Sequence, residues 1–204
     1  MAFVGLCLMT MSPLRAEQID IVGPAGSVSF GTSVTVLPNG NIVVADPGAN
    51  GSASMGGAIH LYTPDGVLIS TLAGASAGDH VGSGGVKVLA NGNFVVLSPD
   101  WSSGSGVSGA VTWVDGSAGL SGVVSVENSL LGVTEDVFGG LGVTPLSNGN
   151  YVVSSPRWKN GAVANAGAVT WANGATGLSG MVHAAPISIA TRSMACCARV
   201  AARA

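Results

Sequence analysis

Charge is what this chain most lacks. Lys, Arg, Asp and Glu make up 8% of its 204 residues, and the formal net charge is −3. Disordered chains stay unfolded because high charge and low hydrophobicity deny them a core. A hydrophobic share of 47% excludes that class. Basic residues are scarcer still: Lys and Arg total seven, and Arg192, Arg199 and Arg203 sit together in the tail. No basic face can be assembled from the remainder, so nucleic acid is excluded as a partner. Cysteine is nearly absent. Cys7, Cys196 and Cys197 lie near the two ends, so no disulfide framework holds the body together. Cys196 and Cys197 lack a second pair at ligand spacing, and no metal or cofactor is expected. Helical periodicity is missing as well, and each of the 32 glycines would weaken a helix by about 1 kcal/mol.

What is present is one phrase, written three times. "LPNGNIVVADP" at 37–47 returns as "LANGNFVVLSP" at 89–99 and "LSNGNYVVSSP" at 146–156. Asn39, Asn91 and Asn148 step by 91 − 39 = 52 and 148 − 91 = 57. A second phrase follows each one: "GGAIHLY", "SGAVTWV" and "AGAVTWA". A third precedes each: "FGTSVTV", "VGSGGVKV" and "FGGLGVTP". Three phrases in one order at nearly one period define a repeat.

Each unit parses into four short strands. In the first these are 33–37, 42–45, 58–62 and 67–72; in the second, 85–89, 94–97, 110–114 and 122–126. Asn-Gly between β-rich runs is the strongest short-range hairpin signal and predicts a two-residue type I′ turn. Four strands in about fifty residues are the signature of a propeller blade. The expected fold is therefore all-β, a β-propeller-type array of about three four-stranded antiparallel blades, incomplete or open. A β-solenoid is the runner-up, and the tight hairpins argue against it.

The organisation divides as 1–16, 17–32, 33–84, 85–141, 142–180 and 181–204. Residues 1–16 read as a signal peptide shortened at its start, with an apolar run at 2–9 and no basic segment before it. That run is too short to cross a bilayer, so no membrane span is expected. Residues 17–32 align with the fourth strand and following loop of the first repeat, as a stray outer strand. Residues 33–84, 85–141 and 142–180 are the three repeats, the last truncated. Residues 181–204, with their Cys/Arg/Ala bias, read as an aberrant tail.

The phrases "FG", "NGN", "ADP" or "SSP" and "GAVTW" together resemble the FG-GAP blade of integrin α-chain propellers. They resemble more closely a group of Gly/Asn-rich bacterial surface or secreted repeat proteins of uncharacterised function. The likeness spans about residues 19–180, and "NGNYVVSSPRWKNG" is its specific part. It implies a propeller, and a secreted or cell-surface setting in a bacterium. FG-GAP blades often bind calcium through a D-x-D-x-D-G loop; Asn-Gly-Asn stands there in all three units, so calcium does not carry over.

Alternating strands place the second-to-third loops and the inter-repeat connections at one end. That end gathers Asp46, Asp79, His80, Asp100, Trp101, Glu135, Asp136, Arg157 and Trp158. Asp100, Trp101, Arg157 and Trp158 are the candidate ligand-binding residues, because loops held by a rigid scaffold carry binding. Trp101 and Trp158 stand at equivalent positions, either stacking a sugar or protein ligand or covering their own sheet edges. Trp113 and Trp171 are expected in the core. His60, His80 and His183 have no partner motif and are expected to be incidental, and no catalytic motif is present. The expected function is non-enzymatic, binding, adhesion or structural display toward a protein or glycan, with self-association through open blade edges. The alternatives are a carbohydrate-active hydrolase or lyase on the same scaffold, or a fragment of a longer repeat protein without its own function.

Overall fold

The computed structural model describes residues 18–51, 53–104, 109–132 and 142–182. Among the described residues every regular element is a strand. Strands β1 (Ser33–Val36), β2 (Ile42–Asp46), β3 (Ala58–Tyr62) and β4 (Leu68–Ala73) form the antiparallel part of sheet 1. Sheet 2 has β5 (Val86–Val88), β6 (Phe94–Ser98), β7 (Ala110–Val114) and β9 (Ser129–Leu131). Sheet 3 has β10 (Gly142–Pro145), β11 (Tyr151–Ser155) and β12 (Ala168–Ala172).

The sheets stack face to face. Successive side chains of a strand point to opposite faces, so β6 divides its residues between two cores. Phe94 and Val96 join Val43, Ala45, Ile59 and Leu61 of sheet 1. Val95 and Leu97 join Tyr151 and Val153 of sheet 3. This explains the unbroken apolar run in "NFVVLS": a strand covered on both faces has no polar side to alternate with. Each fully buried Val or Phe contributes about 1.5–3 kcal/mol.

The Asn-Gly turn differs from its expected form. β1 ends at Val36 opposite Ile42, so the loop holds five residues, 37–41. Gly40 N–H donates to Leu37 C=O and Leu37 N–H to Asn41 C=O. Gly40 has φ +87°, whereas Asn39 is not among the residues with positive φ. The turn is type I with a glycine in the left-handed region after it, a G1 bulge. Gly92 and Gly149 repeat the bond and the angle. The residues before Asn (Pro38, Ala90, Ser147) suit the first central position of a type I turn, which a type I′ turn would deny them.

The fourth strand of the second repeat is also displaced. Residues 122–123 (β8, Gly122–Val123) leave their own sheet and pair in parallel with β4 of sheet 1. The fourth strand of sheet 2 is β9 instead. In the third repeat β13 (Gly180–Met181) pairs in parallel with β9 of sheet 2. Each later unit thus lays a strap on the outer edge of the unit before it. The first repeat turns tightly at Thr63 to Val67; the later ones have the length to reach back. The outer strand expected within residues 17–32 does not form among the described residues, although Ile19 and Ile21 lie beside the Gly66 turn of sheet 1.

Candidate functional site

At the Asn-Gly-Asn end the recurring side chains of the first two units are consumed by the fold. Asn39 Oδ1 accepts the Asn41 N–H at 3.0 Å. Asn39 Nδ2 and Asn41 Nδ2 both donate to the Gly116 carbonyl of the next unit, each at 2.9 Å. Gly116 N–H then donates to Asn93 Oδ1 at 3.0 Å. One unit on, Asn91 and Asn93 grip the Gly174 carbonyl at 2.7 and 2.9 Å, and Gly174 N–H donates to Asn150 Oδ1. Trp113 Nε1 donates to the same carbonyl at 2.8 Å. A Cβ at Gly116 would collide with the Gly92 carbonyl, and one at Gly174 with that of Gly149. Glycine is required there because the two backbones touch.

The opposite end carries the loops after the recurring proline. Each is clasped at its base: Gly57 N–H to Ala49 C=O, Gly109 to Trp101, and Gly167 to Trp158. Trp101 and Trp158 are buried, at 6% and 8% exposure, in the first and second inter-sheet cores. Trp158 Nε1 donates to the Val182 carbonyl at 3.3 Å. Neither ring is open for a sugar to stack on; each lies in a core between two sheets, where an outer edge of its own sheet had been the expected alternative. Both follow a charged residue that stays in solvent, Asp100 and Arg157. Asp100 Oδ2 lies 3.8 Å from His80 Nδ1 and accepts the Ser83 hydroxyl at 3.2 Å.

Asp79 is fully buried. Its carboxylate accepts the N–H groups of Ala75, Ser76 and Ser102, tying the inter-repeat connection to the Trp101 loop. Asp46 is buried too and accepts the Ser29 N–H at 2.8 Å. Both were expected on the loop face; both act inside it. Trp113 is half-buried, whereas Trp171, expected in the core, is 57% exposed. Glu135, Asp136 and His183 lie outside the described residues, as do Cys7, Cys196 and Cys197.

His60 has a role that its isolated position in the sequence conceals. On one face of sheet 1, Asp46, His60 and Thr71 replace Ser98, Thr112 and Ser129 of sheet 2 by register. In sheet 2 this row is closed, with the Thr112 and Ser129 hydroxyls 2.7 Å apart. In sheet 1, His60 Nδ1 meets Thr71 Oγ1 at 3.0 Å, while His60 Nε2 and Asp46 Oδ2 are buried without a partner. Burial lowers the His60 pKa, and the Asp46 carboxylate pulls the other way. His60 and Thr71 line a cavity of about 180 Å³ beneath Pro24 to Ser27, alongside Ala49, Ala58 and Ala73. The sequence signal was paired: the row gains a carboxylate and an imidazole together, and only register puts them on one face.

A second hollow, about 370 Å³, opens between residues 115–120 and 176–179 and is lined by Trp113, Asp115, Glu127, Asn128 and Leu178. The Ser117 hydroxyl and the Ala118 and Ser117 N–H groups hold the Asp115 pKa below its usual value. The Ser125 hydroxyl does the same for Glu127. Two carboxylates held ionised can accept hydrogen bonds from hydroxyls.

Residues 88–140 and 145–186 match a family model described as a repeat of unknown function (DUF5650). The two matches start 145 − 88 = 57 residues apart, the same step as from Asn91 to Asn148. No curated protein matches the chain.

Proposed function

We propose that the chain builds a β-propeller-type array and works by binding or display at its loop face, secreted or at a cell surface, without catalysis. One observation carries this reading. At the Asn-Gly-Asn end the recurring polar groups of the first two units are spent on the next unit, and at the loop end the tryptophans that follow the recurring proline are spent on the cores. What remains in solvent at equivalent loop positions differs from unit to unit: Asp100 in one and Arg157 in the next. A scaffold that hides what repeats and exposes what varies suits recognition. The first strand of each unit, β1, β5 or β10, stands at one edge of its sheet, and β5 and β10 are in contact, an arrangement that supports the propeller form.

The ligand that fits Asp100, His80 and Arg157 is polar and carries both hydrogen-bond donors and an anionic or acceptor group, as a glycan or a protein loop does. A glycan array probed with the labelled chain tests this. Retention that drops for Asp100→Ala and Arg157→Ala supports the reading. Release of reducing ends from a retained glycan would replace it with an enzymatic one.

A further inference from the structure

Sheet 3 ends on a face made to receive another sheet. Val169 in β12 is 74% exposed and Trp171 57%, whereas Val111, the counterpart of Val169 in sheet 2, is completely covered by sheet 3. Asn148 and Asn150 continue the clamp: Asn148 Oδ1 accepts the Asn150 N–H, and Asn150 Oδ1 accepts the Gly174 N–H. Among the described residues their side-chain N–H groups and the Trp171 indole N–H meet no acceptor, although the same donors in sheet 2 share the Gly174 carbonyl. The outer edge of β12 is likewise unpaired among the described residues.

The other end of the stack holds the complements. Ile19 and Ile21 lie against Gly66 as Ser70 of β4 lies against Gly119. Residues 19–22 therefore occupy the place that the preceding sheet's fourth strand takes at the junction of sheets 1 and 2. Ile19 and Val22 are 53% and 79% exposed there. Pro64 stands over Gly40 as Gly116 stands over Gly92, and among the described residues no backbone N–H donates to the Pro64 carbonyl. Gly31 has open space before it, whereas its counterpart Gly82 is filled by Ile59.

We propose that two copies of this chain close head to tail. Residues 19–22 of one copy add to β12 of the other as its missing fourth strand. Val169 and Trp171 are covered, and Asn148, Asn150 and Trp171 find the Pro64 carbonyl of the second copy. The two junctions are identical and related by a two-fold axis, so the association closes. Two copies bring six sheets, within the four to eight of closed propellers. Closure also removes the unpaired edge of β12, which would otherwise template aggregation. The inference rests on the propeller-type reading, and it is tested by mass, not by ligand.

Light scattering after size exclusion, run on the full chain over a concentration series, should give a particle of twice the 19.9 kDa chain. Trp171→Asp and Val22→Asp should each return it to one chain with an unchanged circular-dichroism spectrum. Val22 lies in exposed coil, so its variant keeps the test valid if Trp171→Asp fails to fold. A one-chain mass at every concentration overturns the proposal. So does a mass that climbs without limit, or a pair that survives both substitutions. Glycan binding by the one-chain variants reads out the loop-face proposal separately.

Discussion

Asn41 donates its side-chain amide to the carbonyl oxygen of Gly116, 75 residues further along the chain, at 2.9 Å. Asn39 reaches the same oxygen, and the Gly116 N–H is taken by Asn93. The phrase that recurs is therefore both a turn and a clamp, and consecutive units are joined through it.

Removing the clamp should loosen the stack without unmaking the hairpin. Asn93→Ala loses the bond to the Gly174 carbonyl and the bond from the Gly116 N–H. At about 1 kcal/mol for each bond, the expected loss is about 2 kcal/mol, measured by urea denaturation. Asn91 shares the acceptor, so an Asn91/Asn93 double-mutant cycle should show clear non-additivity.

Gly174→Ala should cost more than its small size suggests. The new methyl group meets the Gly149 backbone, which cannot rotate away as a side chain would. Overpacking of this kind costs about 1–3 kcal/mol. The same change at Gly51, which has open space around it and, like Gly174, no positive φ, tests the effect of the added methyl without the collision.

The buried tryptophans should behave as core residues and not as binding residues. Trp158→Ala is expected to destabilise by about 3–5 kcal/mol, read as a lower denaturation midpoint. Asp100→Ala and Arg157→Ala, both in solvent, should shift stability by no more than about 0.5 kcal/mol, so any loss of ligand retention in them is a loss of contact.

His60 gives the fold an acid-sensitive point. Its folded-state pKa is lowered below 6.5 by burial, so the unfolded chain takes up this proton first as pH falls. Stability from this group is complete above the unfolded value of about 6.5 and declines below it, down to the folded-state pKa. The thermal midpoint should therefore fall between neutral pH and pH of about 5. His60→Thr, which installs the residue found at Thr112 and Thr170, should flatten that dependence.

Local chemistry made the repeat, the strand order and the turn positions legible in the residues themselves. Asn-Gly demands a tight reversal, and β-branched runs of about five residues demand strands. Period and phrase order then follow without any long-range information. Tertiary structure decided everything that depends on which face a residue meets. It buried Trp101 and Trp158, exposed Trp171, sent residues 122–123 to the neighbouring sheet, and set Asp46 and His60 on one wall. These outcomes were not legible because identical phrases have different fates according to whether another sheet lies beside them. Trp113 and Trp171 share the sequence "GAVTW", yet sheet 3 packs against the first, while the face that carries the second is uncovered among the described residues.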